Sequence, residues 1–138
     1  MTYAGDVSVG DAWARLREDT SAVMIDVRTR AEWSYVGLPD LTEAGKEVAA
    51  IEWQTFPSGE PNPSFLDDVK ALGAPFDAPL FFICRSGARS QSAAIAVTAA
   101  GYSQCFNVAG GFEGDRDENN HRGTLGGWKA AGLPWRQS

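Results

Sequence analysis

Phe81-Phe82-Ile83-Cys84-Arg85-Ser86-Gly87-Ala88-Arg89-Ser90-Gln91-Ser92-Ala93-Ala94 decides the fold of this chain. An apolar run ends in a cysteine, a short loop carries two arginines, and an alanine-rich helical pattern begins. Read as strand, loop and helix, the segment places Cys84 at a strand end that faces a helix N-terminus. The unpaired backbone N–H groups and the positive dipole end there stabilise a thiolate or a bound anion. Such a position suits a nucleophile, so the segment points to an enzyme.

Working outward, the same alternation repeats. Ser8 is placed to cap a helix over residues 9–18, with Val9, Ala12, Trp13 and Leu16 on one face. Ala22 to Val27 reads as a buried strand. Thr29 and Glu32 have capping-box spacing for a short helix that carries Trp33. Residues 37–63 are turn-rich around a strand expected from Val48 to Trp53. Ser64 is expected to cap a helix with Phe65, Leu66, Val69 and Leu72 on one side, ending at Gly73. Leu80 to Ile83 is a central strand, and residues 90–100 form a small-residue helix ended by Gly101. Cys105 to Val108 is another strand, and a last helix surrounds Trp128 to Ala131. Alternating strands and helices imply an α/β fold with a parallel sheet covered on both faces. Right-handed crossovers bring the strand C-terminal ends, and so Cys84 and Asp26, to one edge.

Composition narrows the function. At 138 residues with 43% hydrophobic content, the expectation is one domain spanning residues 1–138. A net charge of −6 argues against general affinity for nucleic acid or an anionic membrane. An anionic substrate must therefore be attracted locally, as Arg85 and Arg89 beside Cys84 can do. The N-terminus lacks the pattern of a signal peptide, and no apolar run reaches membrane-spanning length. Two cysteines are too few for a disulfide framework, which makes a cytoplasmic protein with reduced thiols the expectation. With one histidine and no Cys/His cluster, no zinc site is expected.

Cys84-Arg85-Ser86-Gly87-Ala88-Arg89-Ser90 resembles the active-site loop of the rhodanese family of sulfurtransferases, which carry sulfur as a cysteine persulfide. Three further segments agree in order and spacing. Asp26-Val27-Arg28 with Glu32-Trp33 is similar to the family's early motif. Gly101-Tyr102 ahead of Val108-Ala109-Gly110-Gly111-Phe112 is similar to its later strand and glycine turn. Trp128 with Gly132-Leu133-Pro134 is similar to its C-terminal signature. The resemblance spans roughly residues 5–135 and implies a three-layer sandwich, a parallel sheet with helices on both faces. The loop from Cys84 to Arg89 is C-x4-R, the length that goes with sulfur transfer in this family. Related phosphatases and arsenate reductases carry C-x5-R, because a ring of N–H groups fitted to one sulfur is too tight for a tetrahedral phosphate.

The resemblance implies double displacement. The Cys84 thiolate attacks the outer sulfur of a small anionic donor such as thiosulfate, and a thiol or cyanide acceptor then removes that sulfur. A persulfide on a protein or a small molecule also suits as donor. No metal or organic cofactor is implied. Ser86, Gly87 and Ala88 complete the loop, with Gly87 letting its N–H groups converge. Arg85 is expected to face the mouth of the site, Arg89 to brace the loop through Asp26 or Glu32, and Ser90 to cap the next helix and to donate to the sulfur. Asp26 and Glu32 read either as bracing or capping groups or as substrate contacts, and Arg28 as a fold-stabilising arginine. Cys105 reads as inert core, or else as a resolving thiol if it comes within disulfide reach of Cys84. His121 reads as a surface residue, and the tryptophans as core, with Trp33 or Trp53 as alternatives for a pocket wall.

Two segments depart from the family pattern. Tyr35-Val36-Gly37-Leu38-Pro39-Asp40-Leu41 stands where many members have a Gly-His-Ile-Pro-Gly-Ala-like turn. A polar, glycine-flanked insertion occupies residues 115–127, expected either at the rim of the site, where it limits acceptors, or on a remote surface. The competing functions are a non-enzymatic module that senses persulfides or docks a partner, and a phosphatase or arsenate reductase on the same fold.

Overall fold

The computed structural model describes residues 2–137. Strands β1 (Gly5–Val7), β2 (Val23–Asp26), β4 (Ala49–Ala50), β5 (Leu80–Ile83) and β6 (Cys105–Val108) form one sheet in the order β1-β6-β5-β2-β4. Every pairing in it is parallel. Between them run helices α1 (Val9–Glu18), α2 (Arg30–Tyr35), α3 (Phe65–Ala71), α4 (Ala88–Ala99) and α5 (Gly127–Ala130). The α/β architecture read from the alternating pattern is therefore the observed one.

The central strand β5 is buried at all four positions, as a parallel strand covered on both faces must be. Side-chain alternation divides its residues between two cores. Leu80 and Phe82 join Ile25, Val69, Ala93 and Val97 under α3 and α4. Phe81 and Ile83 join Trp13, Leu16, Met24, Phe112 and Trp128 on the face of α1 and α5. Cys84 continues the parity of Leu80 and Phe82, which turns its side chain towards α4. Each of these large apolar side chains contributes about 1.5–3 kcal/mol by leaving water.

The caps follow the sequence at two helices and depart from it at two. Ser8 accepts from Asp11 N–H at the head of α1. Thr29 and Glu32 close a complete capping box on α2. Ser64 precedes α3 but makes no side-chain cap. Asn62 takes over this turn: its Oδ1 accepts from Ser64 N–H at 3.0 Å, and its Nδ2 donates to the Glu52 carbonyl at 2.8 Å. Helix α4 starts at Ala88, two residues earlier than expected, because Gly87 at φ +117° supplies the left-handed turn that begins it. Ser90 therefore lies inside the first turn and is not the cap.

Of the strand expected from Val48 to Trp53, only Ala49–Ala50 pairs, with Ile25 and Asp26. Strand β1 has no clear sequence signal. Neither does a small antiparallel pair, β3 (Leu38–Pro39) with β7 (Trp135–Arg136), that ties the C-terminal segment to the turn after α2. Among the described residues, no helix is long and apolar enough to cross a membrane.

Candidate active site

Strand register sets the positions at the C-terminal edge of the sheet. Asp26 lies beside Ile83, the residue before Cys84, and Asn107 lies beside Phe82. From there the chain turns sharply into α4, wrapping the loop around the Cys84 sulfur. Gly87 N–H donates to Sγ at 3.1 Å and Ser90 N–H at 3.4 Å. The Ser90 hydroxyl stands 3.2 Å from the same sulfur. Two converging amides and the N-terminal end of a twelve-residue helix place positive potential on one atom. Cys84 is only 1% exposed, so it is shielded from solvent in this structure.

The Ser90 hydroxyl belongs to a chain of groups that the sequence did not single out. Its oxygen is 2.5 Å from Asn107 Oδ1, and Asn107 Nδ2 donates to Asp6 Oδ1 at 3.0 Å. The Asp6 carboxylate only accepts, so the Asn107 amide must turn its NH2 to Asp6 and its carbonyl to Ser90. The single hydroxyl proton of Ser90 then goes to Asn107, and a lone pair faces the Cys84 sulfur. In this arrangement Ser90 accepts from the thiol; donation to a sulfur anion requires its proton to swing away from Asn107. The available signal was a lone polar residue within the short strand Cys105-Phe106-Asn107-Val108, because a buried amide in a sheet needs partners.

Of the two carboxylates expected as partners of Arg89, Glu32 pairs with it and Asp26 does not. Arg89 Nη1 and Nη2 lie 2.7 and 3.0 Å from Glu32 Oε1 and Oε2. Burial by itself pushes the Glu32 carboxyl up, but the hydrogen bonds and charge of Arg89, with the Thr29 N–H, hold it below the usual carboxylate range. The Glu32 bonds likewise raise Arg89 above the ordinary arginine value, against the effect of its own burial.

Asp26 is fully buried and pairs with Arg28, whose Nη2 lies 2.7 Å from Oδ2. Arg28 also donates to the Gly37 carbonyl at 2.6 Å and lies 4.4 Å over the Phe112 ring. These two residues link the end of β2 to the turns that carry Gly37 and Phe112. Phe112 belongs to the glycine turn after β6, which closes against the cysteine loop. Phe112 N–H donates to the Cys84 carbonyl at 2.8 Å, and Glu113 and Gly114 N–H donate to that of Arg85. A Cβ on Gly111 would lie 2.5 Å from the Cys84 carbonyl oxygen, so only glycine permits this approach.

A cavity of about 570 Å³ opens beside the loop, between α2, the segment 54–59 and the insertion. Arg85 and Arg89 line it with Glu32, Tyr35, Phe56, Glu113 and Arg122. Cys84 is not itself among the lining residues. The insertion thus reaches the rim through Arg122, while Asp117 holds its exposed turn by accepting from Asn119, His121 and Thr124. Neither tryptophan proposed for a pocket wall reaches this cavity. Trp33 borders a separate one of about 320 Å³, and Trp53 packs edge-on against Phe65.

Cys105 cannot act as a resolving thiol. It pairs in register with Leu80, four residues before Cys84. At ~3.3 Å per residue the two stand roughly 13 Å apart along the sheet, past the ~7 Å limit for a disulfide. Burial pushes its thiol up, with Thr98 opposing, so it remains neutral core.

Similarity to known proteins extends over most of the chain. The sequence profile described as the STR4 middle domain matches residues 4–138. A thiosulfate sulfurtransferase of Pseudomonas putida is 42% identical over 98 residues, covering 71% of this chain and 73% of its own. The chain belongs to the rhodanese-like family. An uncharacterised protein of Rickettsia conorii is 39% identical over 126 residues, 91% of either chain. The crystal structure of Rv0390 from M. tuberculosis superposes with a TM-score of 0.91 at 45% identity, covering 99% of this chain and all of the other. The rhodanese-like fold thus extends over nearly every described residue.

Proposed function

We propose that this rhodanese-like chain is a sulfurtransferase that passes a sulfane sulfur from an anionic donor to a thiophilic acceptor through a Cys84 persulfide. The observation that carries the proposal is the six-residue loop from Cys84 to Arg89 at the head of α4, where the Gly87 and Ser90 amides converge on one sulfur. In the first step the Cys84 thiolate attacks the outer sulfur of thiosulfate. The new S–S bond forms as the sulfur–sulfur bond of the donor breaks, and sulfite leaves with the electron pair. The product, Cys84–S–S⁻, carries its charge on the outer sulfur, where the loop amides, the helix dipole and a reoriented Ser90 hydroxyl oppose it. Arg85, exposed on the cavity wall, attracts the donor despite the negative charge of the chain. Arg89 positions the loop and is held off substrate by Glu32. We further propose that residues 1–138 act as one domain, which accords with two cores sharing a single sheet.

Intact mass after incubation with thiosulfate tests the proposal. One added sulfur, removed by cyanide and absent from Cys84→Ala, is the expected result. No adduct on the native protein would favour a second reading, a module that senses persulfides or docks a partner, which accords with the 1% exposure of Cys84.

A further inference from the structure

We propose that Arg122, from the insertion, is a specificity-determining residue that binds the carboxylate of an organic thiol acceptor. The inference rests on the sulfurtransferase reading and names the class of acceptor. A cavity of about 570 Å³ suits a multi-atom organic ligand and far exceeds what cyanide fills. Its walls have the corresponding chemistry. Tyr35 and Phe56 flank it with 82% and 68% of their surface exposed, offering apolar contact to a carbon skeleton.

The charges divide unequally. Arg89 is engaged by Glu32, whereas among the described residues neither Arg85 nor Arg122 lies within ion-pair distance of any carboxylate. Glu113 also lines the cavity, so the remaining lining charge is two free cations against one anion. Arg85 directly follows Cys84 in the chain and is assigned to the donor, which leaves Arg122, from the insertion, for the carboxylate of the acceptor.

Arg122 is also held in place. Its Nη1 donates to the Gly114 carbonyl at 2.7 Å, and Gly123 N–H donates to the Glu113 carbonyl at 2.6 Å. Glu113 and Gly114 in turn donate to the Arg85 carbonyl. The backbone at the base of the insertion is thereby fastened to the cysteine loop, fixing the Arg122 anchor relative to the sulfur. In the acceptor step the thiol R–SH attacks the outer sulfur of Cys84–S–S⁻. An R–S–S bond forms, the bond to Cys84 breaks, its electron pair returns to the Cys84 thiolate, and the proton leaves on R–S–SH.

The experiment uses thiosulfate-loaded protein and three acceptors that differ in terminal charge: 3-mercaptopropionate, 2-mercaptoethanol and cysteamine. Comparing each variant with the native protein cancels the intrinsic nucleophilicities of the thiols. Arg122→Ala should lower the kcat/KM ratio of 3-mercaptopropionate to 2-mercaptoethanol about threefold to fivefold, mainly through KM, as expected for a partly exposed ion pair. Arg122→Glu should lower it further and favour cysteamine. Equal losses for all three thiols, or unchanged ratios, would overturn the assignment. Failure of the native protein to load sulfur from either thiosulfate or cysteine persulfide would overturn the sulfurtransferase reading with it, and the mass measurement separates that failure from a loaded protein with no charge preference.

Discussion

Replacing Glu32 with glutamine tests how the loop is braced. Glu32→Gln keeps the size and one acceptor oxygen but removes the charge that meets Nη1 and Nη2 of Arg89 at 2.7 and 3.0 Å. The Thr29 N–H and hydroxyl bonds to Oε1, at 3.2 and 3.1 Å, can pass to the amide oxygen. What is lost is therefore chiefly the charge-assisted pair. The side chains of Arg89 and Glu32 are 23% and 21% exposed, between a surface pair and a buried one. Screening by solvent reduces the loss to about 1–2 kcal/mol, or roughly 3–8 °C in Tm for a domain of this size.

The pH dependence gives the sharper criterion. Glu32 has a lowered carboxyl pKa in the folded protein, so its contribution is fully present above the ordinary value of 4.5 and is lost as pH falls through the folded value. Protonated glutamic acid and glutamine are nearly isosteric. Urea unfolding of both proteins from about pH 7 down to about pH 3 should accordingly show curves that converge on the acid side. The raised arginine adds no crossover in this range, because Arg89 stays charged throughout. A gap that stays constant with pH would refute the reasoning, since packing alone would then account for it.

Gly111→Ala should destabilise by about 3 kcal/mol or more, because φ is +64° and the new Cβ meets the Cys84 and Arg85 backbone. Gly73→Ala, at φ +75° in open space, should cost only about 1 kcal/mol, so similar urea midpoints for the two variants would contradict the proposed packing. Ser90→Ala should slow sulfur loading about tenfold by removing the hydroxyl 3.2 Å from the sulfur; stopped-flow sulfite release would measure it, and an unchanged rate would remove Ser90 from the mechanism. Cys105→Val should cost less than about 1.5 kcal/mol, and intact mass should show sulfur loading at Cys84 in that variant as in the native protein. Loss of loading there would contradict the inert reading of Cys105.

Much of this architecture is local in origin and could be read along the chain. The buried run Leu80 to Ile83, the capping box at Thr29 and Glu32, and the small-residue helix after Cys84 each depend on neighbours a few residues away. So does the placement of Cys84 at a strand end before a helix, and with it the candidate nucleophile. The identity of the Arg89 partner was not decided in this way. Glu32 is 57 residues from Arg89 in sequence, and only the fold brings it to the loop while Arg28 occupies Asp26. Asn107 and Asp6 meet across 101 residues because parallel pairing places β1 beside β6. The separation of Cys105 from Cys84 likewise came from strand register, which no local pattern specifies. Arg122 lines the cavity where Gly111 lets the glycine turn close on the cysteine loop and Gly114 lets the end of the insertion, at Gly126, pack against that turn. Sequence by itself determined the helices, the three central strands and the candidate nucleophile, since propensity, capping and hydrophobic period are short-range. Tertiary structure alone decided which charges and amides surround that atom, because those contacts form only after distant segments pack together.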